Sequence, residues 1–220
     1  MIDIFIPAAG DFKWAPAALY SALTQTYKNK RIILFLDGYS QLARNFIDKW
    51  WYNDISRERI FTKTVKWKNL NLSFEESDKG ILVVNEKGPS GTAAIARQWL
   101  FEWKNKSEWI KMLDSDDLLV PNALEKMEKY CGEDIDGVFC PMIRSSCNRL
   151  AKSMSGKPIK GGSGSGSMLL RKSFMEKVVK AGFIWPNKRG HDNDFFQFVK
   201  DKNFKFVTTK EDFLYIYLKR

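Results

Sequence analysis

Histidine and cysteine are scarce in this chain. One histidine, His191, and three cysteines, Cys131, Cys140 and Cys147, are all that 220 residues supply. The cysteines make no even set and no C-x-x-C pair, which argues against a disulfide framework. A zinc site would need an unusual ligand set, so the thiols read as reduced, buried or incidental. Long apolar runs are also missing: the longest cover a handful of residues, well short of the roughly 20 that cross a bilayer. The N-terminal "MIDIFIPAAG" begins acidic and alternates like a strand, unlike a secretory leader. The expectation is a soluble, cytoplasmic protein with no transmembrane segment.

Acid is missing from one region. Residues 1–136 hold 19 Lys+Arg and 20 Asp+Glu, whereas residues 137–220 hold 17 and 6, a net of +11. From 137 to 175 there are seven basic residues, among them Arg149, Lys152 and Lys160, and no acid. Such asymmetry points to a partner with a negative surface; the plain alternative is a solvated, solubilising face. Apolar residues at 44% and aromatics at 14% argue against disorder, and the length suits one domain with a sizeable core.

Along the chain, "IDIFIPAAG", "RIILFLDG", "RIFTKTV", "GILVVNE" and "WIKML" read as strands. "APAALYSALTQTY", residues 41–52, "GTAAIARQWLFEW" and "PNALEKMEKYC" read as helices. The alternation predicts a parallel sheet with right-handed crossovers, whose ligands sit beyond the carboxyl ends of the strands. After residue 131 the pattern changes. "GVFCPMI", "SMLLR", "FKFVTT" and "FLYIYL" read as short strands of an α+β addition. "GGSGSGS", residues 161–167, is either an engineered flexible linker in place of a loop or a native loop without side-chain bulk beside a substrate.

The stretch "WIKMLDSDDLL" ends an apolar strand in Asp114, Asp116 and Asp117. Two carboxylates two residues apart at a strand end share a side, and such hard ligands suit Mg²⁺ or Mn²⁺ with substrate phosphates completing the shell. The plain alternative is that D-S-D-D caps the helix of 121–131.

Taken with its other motifs, the chain resembles the GT-A glycosyltransferases, in particular their inverting family-two type. "IFIPAAGD" stands at that family's first strand and nucleotide-facing loop, which implies donor contacts at Pro7, Ala8, Ala9 and Asp11. "ALYSALTQTYKNKRIILFLDGYS" is similar to its S-L-x-x-Q-T-Y…D-D-G-S segment. Asp37 takes the place of the aspartate that binds the uracil ring, and Leu36 replaces the other one. "GPSGTAAIARQWL" is similar to the G-x-x-x-A-R-N helix, with Arg97 in the arginine position and Gln98 for the asparagine. Ser90, Gly91 and Arg97 would surround the donor, a structural ion pair being the alternative for the arginine. "WIKMLDSDD" matches the metal-binding D-x-D strand, implying Asp114, Ser115 and Asp116 at the diphosphate.

The later half matches more loosely. "GHDNDFFQFV" stands where the family has E-D-x-x-F/L. Asp192 is then the implied catalytic base, with Asp194 in reserve and an N-cap as the plain alternative. His191 replaces the usual glutamate and is a candidate for the metal or the acceptor, or a structural residue. Trp14, Trp67 and Trp185 offer stacking faces but read first as core or covering aromatics.

The resemblance implies one α/β domain over 1–220, a GT-A (Rossmann-like) parallel-core mixed sheet with helices on both faces and an α+β C-terminal part. Residues 1–120 would bind the nucleotide-sugar, a UDP-sugar by Asp37, and 121–220 the acceptor. The cofactor would be Mn²⁺ or Mg²⁺. The compact length and basic later half resemble a phage-type enzyme that glycosylates hydroxymethylated bases, which makes double-stranded DNA carrying 5-hydroxymethylcytosine the expected acceptor. A cell-surface polysaccharide or lipid-linked glycan is the alternative. Two rivals are a metal-dependent nucleotidyltransferase, which needs a Gly-rich phosphate loop where "PAAGDFKW" has one glycine, and a non-enzymatic nucleic-acid-binding module, which has no use for the aspartates.

Overall fold

A computed structural model describes residues 1–9, 13–38, 41–52, 63–86, 88, 93–146, 149–154, 164–188, 190–210 and 213–218, of which 42, 144–146 and 149–154 through their backbone alone. Strand β1 (Ile2–Ala9) lies at the centre, paired in parallel with β2 (Lys30–Asp37). Ile4, Ile6 and Ala8 of β1 join Leu34 and Leu36 of β2 on one face, and Phe5 joins Ile33 and Phe35 on the other. Both faces are buried, which is why these strands read as apolar runs rather than as alternation. Each fully buried Ile or Phe contributes about 1.5–3 kcal/mol.

The first face is covered by α1 (Ala15–Leu23), by α2 (Gln41–Phe46) with the π-helical stretch Ile47–Tyr52 that follows it, and by α4 (Ala123–Glu128). The second is covered by α3 (Ala94–Glu102), α5 (Lys172–Lys180) and α6 (His191–Asp201). Parallel strands β5 (Gly80–Asn85) and β6 (Trp109–Met112) flank the central pair, giving the order β6-β1-β2-β5. Beyond β5 the sheet turns antiparallel through β4 (Leu70–Ser77) and β3 (Lys63–Trp67). Beyond β6 lies β11 (Met168–Arg171), antiparallel to both β6 and β8 (Gly137–Phe139), with β12 (Phe206–Thr208) at the edge. This is the expected parallel core widened into a mixed sheet, with helices on both faces.

A second sheet runs β10-β9-β13-β7, from β7 (Leu118–Leu119), β9 (Met142–Ser146), β10 (Arg149–Met154) and β13 (Tyr215–Leu218). Here the sequence reading needs correction. "GVFCPMI" is not one strand. It breaks at Cys140-Pro141, where proline has no N–H for a ladder, and its halves enter different sheets. β4, β7 and β10 were not expected at all. In "RIFTKTV" the described strand begins at Lys63, and residues 59–62 lie outside the described residues. Among the described residues no helix is long and apolar enough to cross a membrane.

Candidate functional site

The parallel strands end on a common rim. Leu113 N–H donates to the Phe5 carbonyl at 3.0 Å, so β6 stays paired with β1 up to the residue before Asp114. The chain then turns, with Asp117 N–H donating to the Asp114 carbonyl at 3.0 Å. The aspartates therefore sit in a turn after the strand, not on it. Nor do they cap a helix: the N-cap of α4 is Asn122, without a side-chain cap bond. Asp114, Ser115 and Asp116 are partly exposed, whereas Asp117 is buried and accepts from the Tyr215 hydroxyl and, at 2.9 Å, from Leu218 N–H. One aspartate of the cluster is structural, and burial raises its pKa to about 8, with the Asp114 charge adding to the shift.

Arg97, on α3, is 3% exposed and sits where three elements meet. Its Nη2 donates to Asp114 Oδ1 at 2.5 Å and its Nη1 to Asp192 Oδ1 at 3.2 Å. Nη1 also bonds to His191 Nε2, and the guanidinium lies 5.5 Å from the centre of the Trp185 ring. Burial works against the guanidinium charge, but Asp114 and Asp192 outweigh it and raise the pKa. Asp114 is pushed up by desolvation and by the charges of Asp192 and Asp116, against the pull of Arg97. One guanidinium thus joins the D-x-D turn to the start of α6, although the two are far apart in sequence.

Asp192 lies in the first turn of α6, whose N-cap is Gly190. Its other oxygen faces Ser165 N–H at 3.4 Å. Asp194 instead pairs with Lys188 at 3.0 Å and is 42% exposed, so Asp192 is the carboxylate that faces the cluster. His191 has both ring nitrogens engaged, Nδ1 with the Lys188 carbonyl at 2.9 Å and Nε2 with Arg97. A metal at Nε2 would have to displace the arginine.

The turn Ser165–Ser167 is not a spacer. Both serines are fully buried, and Ser167 Oγ donates to the Gly164 carbonyl at 2.8 Å. A Cβ at Gly166 would come within 1.8 Å of the Tyr215 hydroxyl. The Gly166 carbonyl accepts from Lys111 Nζ, which also donates to the Met112 carbonyl at 2.8 Å. Lys111 is fully buried, and desolvation lowers its pKa to about 8. Residues 161–163 lie outside the described residues.

At the other end of the rim, Asp37 is 2% exposed at the tip of β2, in register with Ala9 of β1. Its Oδ1 accepts from Asn85 Nδ2 at 2.7 Å. A Cβ at Gly88 would stand 2.6 Å from that same oxygen, so only glycine lets the chain pass so close. Pro7 and Ala8 lie beside them in β1, both buried. Asp11, Ser90 and Gly91 lie outside the described residues. Trp185 is buried core stacked on Phe195 at 4.6 Å, Trp67 donates to Glu102 at 3.0 Å, and Trp14 is 37% exposed.

Asn85, Gly88, Ser165 and Lys111 escaped the sequence reading. Asn85 carried a usable signal, a polar residue ending a fully apolar parallel strand, as Asp37 does. Among the described residues, no three His, Cys, Asp or Glu side chains are grouped to hold a metal ion. The donor set that exists is hard carboxylate oxygen from Asp114 and Asp116. Burial raises the pKa of Asp114 first, and the neighbouring charges of Asp192 and Asp116 add to the rise against the pull of Arg97, so a cation there would relieve both. This fits Mg²⁺ or Mn²⁺ held jointly with substrate phosphates, not a closed protein cage.

Neither a protein-family model nor a curated protein matches the sequence. Solved structures do match in three dimensions. S. aureus TarS 1–349 in complex with UDP-GlcNAc is similar over 100% of this chain and 58% of that one, with 14% identity and a TM-score of 0.69. The same protein in complex with UDP gives 99%, 60%, 14% and 0.68. The mannosyltransferase PcManGT from Pyrobaculum calidifontis, in complex with GDP-Man and Mn²⁺, gives 99%, 56%, 11% and 0.61. The chain thus spans about 60% of the TarS 1–349 length. What is shared is the fold, the GT-A α/β arrangement.

Proposed function

We propose that the protein is an inverting glycosyltransferase that moves a sugar from a nucleoside-diphosphate sugar to a hydroxyl group. One observation carries this reading: Asp114, after the strand where such a fold binds diphosphate, and Asp192, at the head of α6, meet on the single guanidinium of Arg97. The fold neighbours bind UDP-GlcNAc and GDP-Man, which supports a nucleotide-sugar donor. Asp37, held by Asn85 above Gly88, is the residue for the base, and its place in the family motif favours uracil.

The chemistry follows from the charges. The acceptor oxygen attacks the anomeric carbon as its proton passes to Asp192, and the bond to the diphosphate oxygen breaks on the opposite side. A single displacement inverts the configuration, and the nucleoside diphosphate departs with the bonding pair. Asp192 works as general base, oriented by Arg97 and Ser165 N–H. A divalent cation held by Asp114 and Asp116 would supply charge neutralisation for the leaving diphosphate.

For the acceptor we propose a polyanion, with 5-hydroxymethylcytosine in duplex DNA as the specific candidate. Support comes from the +11 balance of residues 137–220 and the acid-free run 137–175. The side chains of Arg149 and Lys152, and Lys160 as a whole, lie outside the described residues. The test is mass spectrometry of hydroxymethylcytosine DNA incubated with the protein, Mn²⁺ and a panel of UDP- and GDP-sugars. A mass increment of one sugar on the base is expected. Turnover of donor with unmodified DNA removes the DNA acceptor alone, and no turnover of any donor removes the glycosyltransferase.

A further inference from the structure

His191 does not resemble a free ligand in this site. Its Nδ1 lies 2.9 Å from the Lys188 carbonyl oxygen, a group that only accepts, so Nδ1 carries the hydrogen. Nε2 lies against Arg97 Nη1, a group that only donates, so Nε2 accepts and the ring is neutral; Asp192 Oδ1, 3.4 Å from the same Nε2, takes its hydrogen from Nη1 at 3.2 Å instead. The ring is nine-tenths buried and meets Trp185 edge-on, with centres 5.7 Å apart and planes at 80°. Trp185 in turn lies stacked on Phe195 and 5.5 Å from the guanidinium. Two walls of the arginine socket are therefore buried, uncharged rings.

Four of the guanidinium's five hydrogens can be followed one by one. Nη2 points to Asp114 at 2.5 Å. Nη1 has two hydrogens and two acceptors, His191 Nε2 and Asp192 Oδ1 at 3.2 Å. If the histidine takes one, the other is left for the carboxylate. Nε finds no partner among the described residues, so the rotation of the group is set at its Nη atoms. We infer that His191 is a positioning residue: as the Nδ1–H tautomer it fixes Arg97 so that one guanidinium bridges the diphosphate-side and base-side carboxylates. The inference deepens the glycosyltransferase reading and rests on it for its kinetic consequence, but the tautomer itself does not depend on activity.

His191 is the sole histidine, so a long-range ¹H–¹⁵N spectrum of the untagged protein reads this one ring. A neutral Nδ1–H tautomer is expected, and an Nε2–H tautomer overturns the inference whether or not the protein transfers sugar. In transfer assays, His191→Phe keeps the ring packing and removes the acceptor. It should lower kcat by about 10- to 100-fold, the scale for partners that orient a functional group, with donor KM and the Mn²⁺ activation constant near wild type. His191→Gln, which restores an acceptor, should recover most of that loss. Wild-type kcat in His191→Phe, a loss carried by the Mn²⁺ constant, or no recovery in His191→Gln each sinks the positioning role. If wild type turns over no nucleotide-sugar, the functional reading fails and the tautomer result still decides the geometry.

Discussion

Asp114 and Asp192 are ion-paired to the same guanidinium, at 2.5 and 3.2 Å from Arg97. Neither aspartate is the N-cap residue of a helix, so what holds each is the buried arginine they share. Two carboxylates and one buried cation leave a net negative cluster at the carboxyl rim of a parallel sheet, where ligands of such folds bind. In the proposed function the two members divide the work: Asp114 serves the diphosphate and Asp192 the acceptor proton.

The division predicts that Asp192→Asn leaves donor binding intact and lowers transfer by about 10²–10⁴-fold, the range for loss of a general base. Asp194→Asn should be close to neutral, because Asp194 pairs with Lys188 and is 42% exposed. Kinetics of both variants with one donor and one acceptor decide the matter. Damage from Asp194→Asn without damage from Asp192→Asn would reverse the assignment.

Asp114→Asn and Asp116→Asn should each weaken donor binding in Mn²⁺ and lower transfer by about 10²-fold or more, the scale of a lost electrostatic contact to developing charge. Calorimetric titration of UDP-sugar with and without EDTA measures the first effect. Binding that survives chelation unchanged in wild type would remove the metal from the site.

Much of this was legible in the sequence, and the reasons are physical. Strands β1, β2, β5 and β6 are buried on both faces, so they stand out as apolar runs, and Asp37 and Asp114 stand out as their polar ends. β4 alternates Leu70, Leu72 and Phe74 with polar residues, a weaker signal in a chain already divided into strands and helices. The Arg97 cluster was visible only as separate residues, because nothing local says that α3, the D-x-D turn and α6 converge. The role of Gly166 was hidden for the same reason: its restraint is the Tyr215 hydroxyl, from a strand of the other sheet.

That restraint gives a third prediction. Gly166→Ala would place a methyl group within 1.8 Å of the Tyr215 hydroxyl, which itself is bonded to Asp117. Something must shift, and overpacking of this kind costs about 1–3 kcal/mol. Thermal unfolding should show a clear drop for Gly166→Ala. The double variant Gly166→Ala with Tyr215→Phe should not recover it, since the ring carbons Cζ and Cε2 would still stand 2.3 and 2.8 Å from the added methyl group. An unchanged melting temperature in the single variant would mean that residues 164–167 act as a spacer after all.

Lys111 supplies the pH dependence. Its ammonium group is fully buried among carbonyl oxygens, and desolvation lowers its pKa from 10.5 to about 8. A lysine whose folded pKa lies below its unfolded value opposes folding when protonated. Below pH 8 both states hold the proton and the cost is fully present, of order 3 kcal/mol at 1.36 kcal/mol per unit. Between pH 8 and 10.5 the unfolded chain holds a proton that the folded chain has released, so stability from this group rises with pH. Lys111→Met removes the titration and leaves most of the volume. The stability difference between Lys111→Met and wild type should be flat from pH 6 to 7.5, then move in favour of wild type by up to about 3 kcal/mol by pH 10.5. Urea unfolding of both proteins across that range measures it, and taking the difference cancels the titrations of groups that do not feel the Lys111 charge. A difference that does not change with pH would show that Lys111 keeps one protonation state throughout, and that its two carbonyl partners outweigh desolvation.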